Sequence, residues 1–519
     1  MNFSNWTPAA LLAGGCIALT PACTDLEEEP VGALSAETFG QTEAEFNAIV
    51  AGGYLDLFGL LGDHNSTWTL NEVSTDEILV PTRGADWFDG GTFVRLHTHT
   101  FEAGEGGLQN SWNDLFGGVA TVNRLLEQLP QLNEELAPPF EAELRGLRAF
   151  YYWYLMDMWG NVPLITSFTG GEENPSTRPR AEIYDFLVAE LEELIPLLPP
   201  EKRYARVTQD VARGILAKVY LGSNEYAGRD EVANAIPHLD AIIDGGQYAL
   251  EPNYFDNFDV DNDNSGENMF VIPYDEVFTI PSANFNLAHM TLHYQSQVTF
   301  NATAQPWNGY AAVQEFYDSY QDEDLRKGQY GRQDVPGNFL AGPQYESDGV
   351  TPLIDAVNDG DPDGPEIVFT PEINELTPNA YRQAGARIFK YTYADGFTTE
   401  LANDFPLLRY ADILLMKAEA LLRTGGDEEE ALDLVNMVRS RAFGSDEFNF
   451  EEIDLDILFE ERGREMFAEG YRRSDLIRFD KFKDPWFGKG VTDDDNLKLF
   501  PVPTQQLDVN PNLVQNPGY

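Results

Sequence analysis

Two tryptophans stand in segments that lack helical spacing. Trp87 lies in Arg83-Gly84-Ala85-Asp86-Trp87-Phe88-Asp89, and Trp307 lies in Gln305-Pro306-Trp307-Asn308-Gly309-Tyr310. Sugar rings present C–H faces that pack on flat aromatic rings, and their hydroxyls need polar partners alongside. Both tryptophans have polar neighbours: Arg83 and Asp86 in the first segment, Asn308 followed by Tyr310 in the second. Tyr294 is a third aromatic of the same kind. These seven residues are the expected ligand contacts. Trp112, Trp153 and Trp159 fall on helical periodicity instead and are read as core.

Bond-breaking chemistry finds little support. Glycoside hydrolysis needs two carboxylates at a defined separation across a sugar. With 87 acidic residues some pair will meet that distance by chance, so pairs carry no information. No Gly-x-Ser-x-Gly elbow, phosphate loop or His-Glu-x-x-His motif occurs. His97 and His99 alternate in a strand-like run and would share a face, but two imidazoles do not complete a metal site. Asp359-Gly360-Asp361-Pro362-Asp363-Gly364 resembles the first half of a calcium loop, with acidic oxygens alternating and Gly at the sixth position. Its twelfth position is Thr370 rather than Glu, so Asp359, Asp361 and Asp363 make a weak calcium candidate. No other cofactor is expected. Asp259, Asp261 and Asp263 repeat the pattern less well, with Asn264 sixth.

The bulk numbers narrow the class further. The chain has 519 residues, 43% of them hydrophobic and 12% aromatic, enough for a packed core and for more than one sub-structure. Its 33 basic residues against 87 acidic ones give a net charge of −54, which argues against nucleic acid as a partner. The only cysteines are Cys16 and Cys23, so the body holds no disulfide framework and no thiol chemistry. Ala9 to Leu19 is an apolar run too short to span a membrane. It leads to Thr20-Pro21-Ala22-Cys23 and then to an acidic stretch, the arrangement of a lipoprotein cleavage site. Residues 1–22 are read as the signal segment and Cys23 as the lipidated residue, with Cys16 the rival. No Lys or Arg precedes Arg83.

Helices must position the loop aromatics. Thr42-Glu43-Ala44-Glu45 is a capping-box signature, followed by apolar residues at helical spacing from Phe46 to Leu57. A second helix carries Trp112 to Leu129 and is expected to stop at Pro130; a third runs from about 139 to 159, ended by Gly160-Asn161-Val162-Pro163. Further helices are expected near 181–198, 208–226 and 231–244. From about 247 to 404 the chain is rich in Gly, Pro, Asn and Asp, with short strand-like runs at 269–274 and 387–393. A helix pair follows at 407–423 and 427–442, then a helix at 454–468 closed by Gly470. The pair at 208–226 and 231–244 has a combined period close to a degenerate tetratricopeptide unit of ~34 residues, and eight of these helices could form four stacked pairs. The expected fold is therefore mainly α, with a region at 23–246, a second at 247–519, and function on the loops.

Several blocks together resemble one family. Ser111-Trp112-Asn113-Asp114-Leu115-Phe116 with Asn123-Arg124-Leu125-Leu126 is similar to its second-helix pattern. Leu147-Arg148-Ala149-Phe150-Tyr151-Tyr152 through Trp159-Gly160-Asn161-Val162-Pro163 is similar to its most recognisable helix and exit turn. Leu408-Arg409-Tyr410-Ala411-Asp412, Asn436 with Val438-Arg439, and Glu461-Arg462 through Arg478-Phe479 continue the resemblance, and Asn510-Pro511-Asn512-Leu513 with Asn516-Pro517-Gly518-Tyr519 gives the typical ending. The chain thus resembles the SusD/RagB family of outer-membrane nutrient-binding lipoproteins. The resemblance implies four tetratricopeptide-like pairs and a surface-exposed, lipid-anchored position on the bacterial outer membrane. It also implies a TonB-dependent transporter as partner and an oligosaccharide or peptide as ligand, bound rather than cleaved. The residues alone leave open a glycan-degrading enzyme, a peptide binder or a protein-interaction scaffold. Charged residues of the matching blocks, Glu461, Glu465, Glu469, Arg462, Arg472, Asp475 and Arg478, are read as tertiary ion pairs rather than as chemistry.

Overall fold

The computed structural model describes residues 39–61, 63–275, 285–355 and 366–519. Cys16, Cys23 and the calcium candidates Asp359, Asp361 and Asp363 lie outside the described residues.

The capping box forms as the sequence predicts. The Thr42 side chain accepts from Glu45 N, and the Glu45 carboxylate accepts from Thr42 N, opening helix α1, Glu43–Ala51. The apolar spacing then continues through a 3₁₀ turn, Gly52–Leu57, and a short helix, Phe58–Leu61. By length and composition Glu43–Leu61 could cross a membrane. Here it is broken by the 3₁₀ turn, and Phe46, Val50, Tyr54 and Leu57 are buried in the protein core.

Seven longer helices and α6 stack in series. They are α2 (Gly106–Leu132), α3 (Ala137–Met158), α4 (Arg180–Leu194), α5 (Gln209–Leu221), α6 (Ile236–Gly245), α7 (Tyr410–Thr424), α8 (Glu428–Phe443) and α9 (Leu455–Met466). Each packs on the next from α2 through to α8, and α9 packs on α7. The stack therefore crosses from the first half of the chain to the second at the α6–α7 contact. Amphipathic helices of this kind bury their apolar stripes only against neighbours. Close approach of α2 and α3 depends on Gly118: a Cβ there would lie 2.5 Å from the Tyr151 ring. Trp112, Trp153 and Trp159 are buried, as their periodicity predicts.

Three local expectations are corrected. Pro130 does not end α2, which runs to Leu132; proline sits in the final turn, and Asn133 N still donates to Leu129 O at 3.2 Å. Residues 407–409 are not helical but end a strand. His97 and His99 do not alternate in a strand. His97 closes the short helix Thr92–His97, and His99 follows with a φ of 56°. Both rings are buried and bonded to backbone, His97 to the Val73 and Phe487 carbonyls and His99 to that of Ser74.

Strands are few and short. Asn268–Ile272 pairs antiparallel with Phe405–Arg409, which leads straight into α7. Ile78–Leu79 pairs antiparallel with Ala311–Ala312, with Leu79 opposite Ala311. This two-residue ladder brings the chain entering Arg83–Asp89 beside the chain leaving Gln305–Tyr310. Ala312 N also donates to Ala386 O at 2.9 Å, drawing in a third segment, 376–386.

Buried ion pairs join α9 and the turn after it to the rest. Glu465 meets Arg326, Arg409 and Arg441 at 3.0, 3.1 and 2.5 Å. Arg462 bridges Asp412 and Asp475 at 2.7 Å each, and Arg472 reaches Asp76 at 2.8 Å. Glu469 lies past the helix end yet still pairs with Arg409. The structural reading of these charges holds.

Candidate functional site

Three loop segments meet where the short ladder aligns them, and one guanidinium fastens all three. Arg83 Nε donates to Asn308 O and Nη2 donates to Ala384 O, each at 2.9 Å, and Nη1 donates to Tyr381 O. A planar fork can satisfy several carbonyls in fixed geometry, which a lysine cannot. Asn308 repeats the device. Its Nδ2 donates to Arg382 O at 3.0 Å, and its Oδ1 accepts from Arg387 Nη2 at 2.8 Å. Backbone bonds complete the frame: Thr82 N to Leu376 O at 2.8 Å, Gly84 N to Pro378 O at 3.0 Å, and Asn308 N to Leu292 O at 2.9 Å.

On this frame Trp87 is held from several sides. Its φ of 59° lies in the left-handed region that bulky residues seldom adopt, so the surrounding contacts must over-determine it. Trp87 Nε1 donates to Trp307 O at 2.7 Å. The indole packs edge-on to Tyr310 at 5.6 Å and against Phe93 at 5.5 Å and His64 at 5.8 Å. Its six-membered ring lies over Gly309, where a Cβ would come within 2.4 Å of Cε2. Trp307, also half-buried, leans on His289 at 5.6 Å. The Tyr294 hydroxyl donates to Asp86 Oδ2, and burial together with that carboxylate pushes the phenol pKa up. On the same loops, Phe88 and Tyr381 are 53% and 41% exposed.

The seven expected contacts thus divide in two. Trp87, Trp307, Tyr294 and Asp86 stay partly or fully exposed, joined in pairs by the Trp87–Trp307 and Tyr294–Asp86 hydrogen bonds. Arg83, Asn308 and Tyr310 lie beneath them, and the expectation that they touch ligand is corrected. Arg83 and Asn308 are buried with their polar groups bonded to loop backbone or to Arg387. Tyr310 is fully buried, its hydroxyl 2.8 Å from Thr69 Oγ1. They position the platform. Phe88, Tyr381 and the Arg382–Asp355 pair at 3.0 Å also belong to this region. Tyr381 carried a usable signal: it stands in the turn-rich Pro378-Asn379-Ala380-Tyr381-Arg382, the same mixture of aromatic, turn and guanidinium as the Trp87 segment.

A separate groove of about 830 Å³ is lined by Tyr54, Phe58, Tyr204, Arg206, Tyr274 and Asp404, among others. Several of its polar groups are already paired. Tyr204 donates to Asp404 at 2.6 Å, Tyr274 N donates to the same carboxylate at 3.0 Å, and Arg206 pairs with Glu143. Burial pushes Asp404 up to about 6. This groove lies apart from the loops that carry Trp87 and Trp307. Among the described residues, no three His, Cys, Asp or Glu side chains are grouped to hold a metal.

A stack of packed helices joined by long loops that carry aromatic residues defines a helical-scaffold protein. Comparison with known sequences gives the family. Residues 272–519 match the model of the SusD family, and residues 59–221 match one described as starch-binding associating with outer membrane. Between them the two models match both halves of the chain, which is therefore similar to the SusD/RagB family over most of its length. It is 24% identical to the starch-binding protein SusD of Bacteroides thetaiotaomicron, over 98% of each chain. It is 26% identical to SusD-like protein P2 of Formosa agariphila, over 96% of this chain and 97% of that one. Among solved structures, surface glycan-binding protein A of Bacteroides thetaiotaomicron superposes with a TM-score of 0.72 at 23% identity, covering 93% of this chain and 100% of that one. The same protein with laminarihexaose gives 0.69 at 23% identity, over 91% and 99%. The fold of this chain is that of the SusD superfamily.

Proposed function

We propose that this protein is an outer-membrane lipoprotein that captures an oligosaccharide on the face formed by Trp87, Trp307, Tyr294, Phe88 and Tyr381 and passes it to a TonB-dependent transporter. The observation that carries the proposal is the immobilised pair of tryptophans. An aromatic face whose indole N–H is already bonded and whose loops are tied by Arg83 and Asn308 loses little conformational entropy on binding. Sugar rings would stack on the indoles while Asp86 and neighbouring polar groups take their hydroxyls. The family's association with the outer membrane, and relatives named for starch and glycan binding, support this ligand class.

In this reading the ligand is held without bond cleavage. Asp86 accepts from Tyr294, and Asp355 pairs with Arg382, so the carboxylates nearest the face act in its architecture. Lipidation of Cys23 would tether the body, facing outward, beside the transporter. Titration calorimetry of the mature body with maltohexaose and laminarihexaose tests the binding. Trp87→Ala and Trp307→Ala should each weaken affinity about tenfold, roughly the value of one lost aromatic contact. Unchanged affinities in both variants would remove the site from consideration. Release of reducing ends at a rate proportional to protein would refute the non-enzymatic part. Recovery of no large β-barrel protein in a detergent pull-down would refute the transporter part.

A further inference from the structure

We infer that the aromatic face selects neutral oligosaccharides against carboxylated or sulfated ones, an inference that rests on the glycan-binding reading above. Tight recognition of an anionic glycan needs guanidinium or ammonium groups free to bond carboxylate or sulfate oxygens. The basic side chains that stand beside this face are committed elsewhere. Arg83 donates from Nε, Nη1 and Nη2 to three carbonyls. Arg387 is fully buried and donates to the Arg382, Ala384 and Gly385 carbonyls and to Asn308 Oδ1. Arg382 is 9% exposed and pairs with Asp355. Arg95, on the helix after Trp87, pairs with Glu105 at 2.5 Å and donates to Gly90 O at 2.8 Å.

The carboxylates have the opposite disposition. Asp86 and Asp89, on either side of Trp87, are exposed. Asp86 accepts from the Tyr294 hydroxyl through Oδ2, and the residue is exposed. Asp63 is half-buried next to His64, whose ring meets the Trp87 indole. An incoming uronate or sulfate therefore meets exposed negative charge, while the neighbouring arginines named above are, among the described residues, already paired. A neutral sugar meets carboxylate oxygens that accept from its hydroxyls. The net charge of −54 extends that bias over the whole molecule.

Three kinds of probe separate the outcomes: maltohexaose and laminarihexaose as neutral chains, their sulfated forms, and a hexauronate. Affinities are measured at about 0.01 M and about 1 M salt, where the screening length falls from about 30 Å to about 3 Å. At low salt a neutral hexamer should bind at least about tenfold more tightly than any charged probe, with the gap closing at high salt. Asp89→Asn should narrow the low-salt gap about threefold, because it removes one exposed charge beside Trp87. A charged probe that binds at low salt as tightly as the better neutral one, or more tightly, overturns the inference while leaving glycan binding intact. If no neutral or charged probe binds, the glycan reading fails and takes the inference with it.

Discussion

Adding one methyl group at Gly309 should damage the binding face from beneath. Gly309 is buried, and its φ lies outside the left-handed region, so alanine meets no backbone objection. The obstacle is the Trp87 ring: a Cβ would sit 2.4, 2.5 and 2.8 Å from Cε2, Cζ2 and Cδ2. Ordinary carbon contacts need about 3.5 Å or more, so the indole must move by about 1 Å. It cannot do so freely, because Nε1 is bonded to Trp307 O at 2.7 Å and Tyr310 and Phe93 flank the ring. Overpacking costs about 1–3 kcal/mol and the lost hydrogen bond about 1 kcal/mol. The entropy alanine removes from the unfolded chain returns about 0.4–1 kcal/mol. Gly309→Ala should therefore destabilise by about 2 kcal/mol. In a Trp87→Ala background the clash is gone, and the same substitution should be neutral or slightly stabilising. Denaturant unfolding of the four proteins in this cycle measures the coupling, expected at about 2 kcal/mol. Calorimetry with the hexasaccharides should find Gly309→Ala nearly as weak a binder as Trp87→Ala. Equal effects of Gly309→Ala in both backgrounds would refute the contact on which this reasoning depends.

Three further outcomes follow from contacts already described. Arg83→Lys keeps the charge but cannot serve three carbonyls, so stability should fall by about 2–3 kcal/mol and hexasaccharide affinity should fall with it, read by denaturation and calorimetry. Glu465→Gln leaves Arg326, Arg409 and Arg441 short of a buried counter-charge, and should cost about 3–5 kcal/mol by denaturant unfolding without direct effect on the aromatic face. Burial raises the Asp404 pKa from 3.8 to about 6. Its contribution to stability is thus fully present below about pH 4 and lost as pH rises through about 6, a swing of roughly 3 kcal/mol. Asp404→Asn should flatten the stability profile across that window, and an unchanged profile would refute the assignment.

Local signals were read well wherever the physics was local. The Thr42 capping box needs only four consecutive residues, and it forms. Asp427 and Asp454, just before α8 and α9, each accept from backbone N–H groups in the first turn, as their position suggests. Trp112 and Trp159 could be assigned to the core because their neighbours at helical spacing are apolar. The site was half-legible for the same reason. Trp87 and Trp307 announced themselves by lacking that spacing. Arg83 looks like any loop guanidinium, since its partners lie 225 to 301 positions away. Tyr310 misled similarly: its Thr69 contact spans 241 positions. His97 and His99 alternate by two, but a helix end and a left-handed residue place them, and neither feature has a strong sequence mark.

The −54 charge and the cation-poor character of the proposed face have one origin in how the fold distributes its basic groups. Among the described residues fourteen arginine and lysine side chains are buried, against fifteen aspartates and glutamates, although the chain holds 33 basic and 87 acidic residues. Folding therefore removes basic groups from the surface in far greater proportion than acidic ones. Buried pairs such as Arg409 with Glu267, Glu465 and Glu469 add little net stability compared with a well-packed apolar core, because desolvation offsets most of the attraction. Their consequence is geometric: a guanidinium with several buried acceptors admits one arrangement of the elements it joins. Arg472 with Asp76, and Gly470 N with Glu72, lock the helical C-terminal half against the segment that runs on to Trp87. Arg83 and Arg387 do the same to the loops, with carbonyls as acceptors in place of carboxylates. A platform held by arginines in this way is rigid, and for the same reason it has no arginine left to offer a ligand. What remains at its surface is aromatic rings and carboxylate oxygens, which suit the C–H faces and hydroxyls of an uncharged sugar.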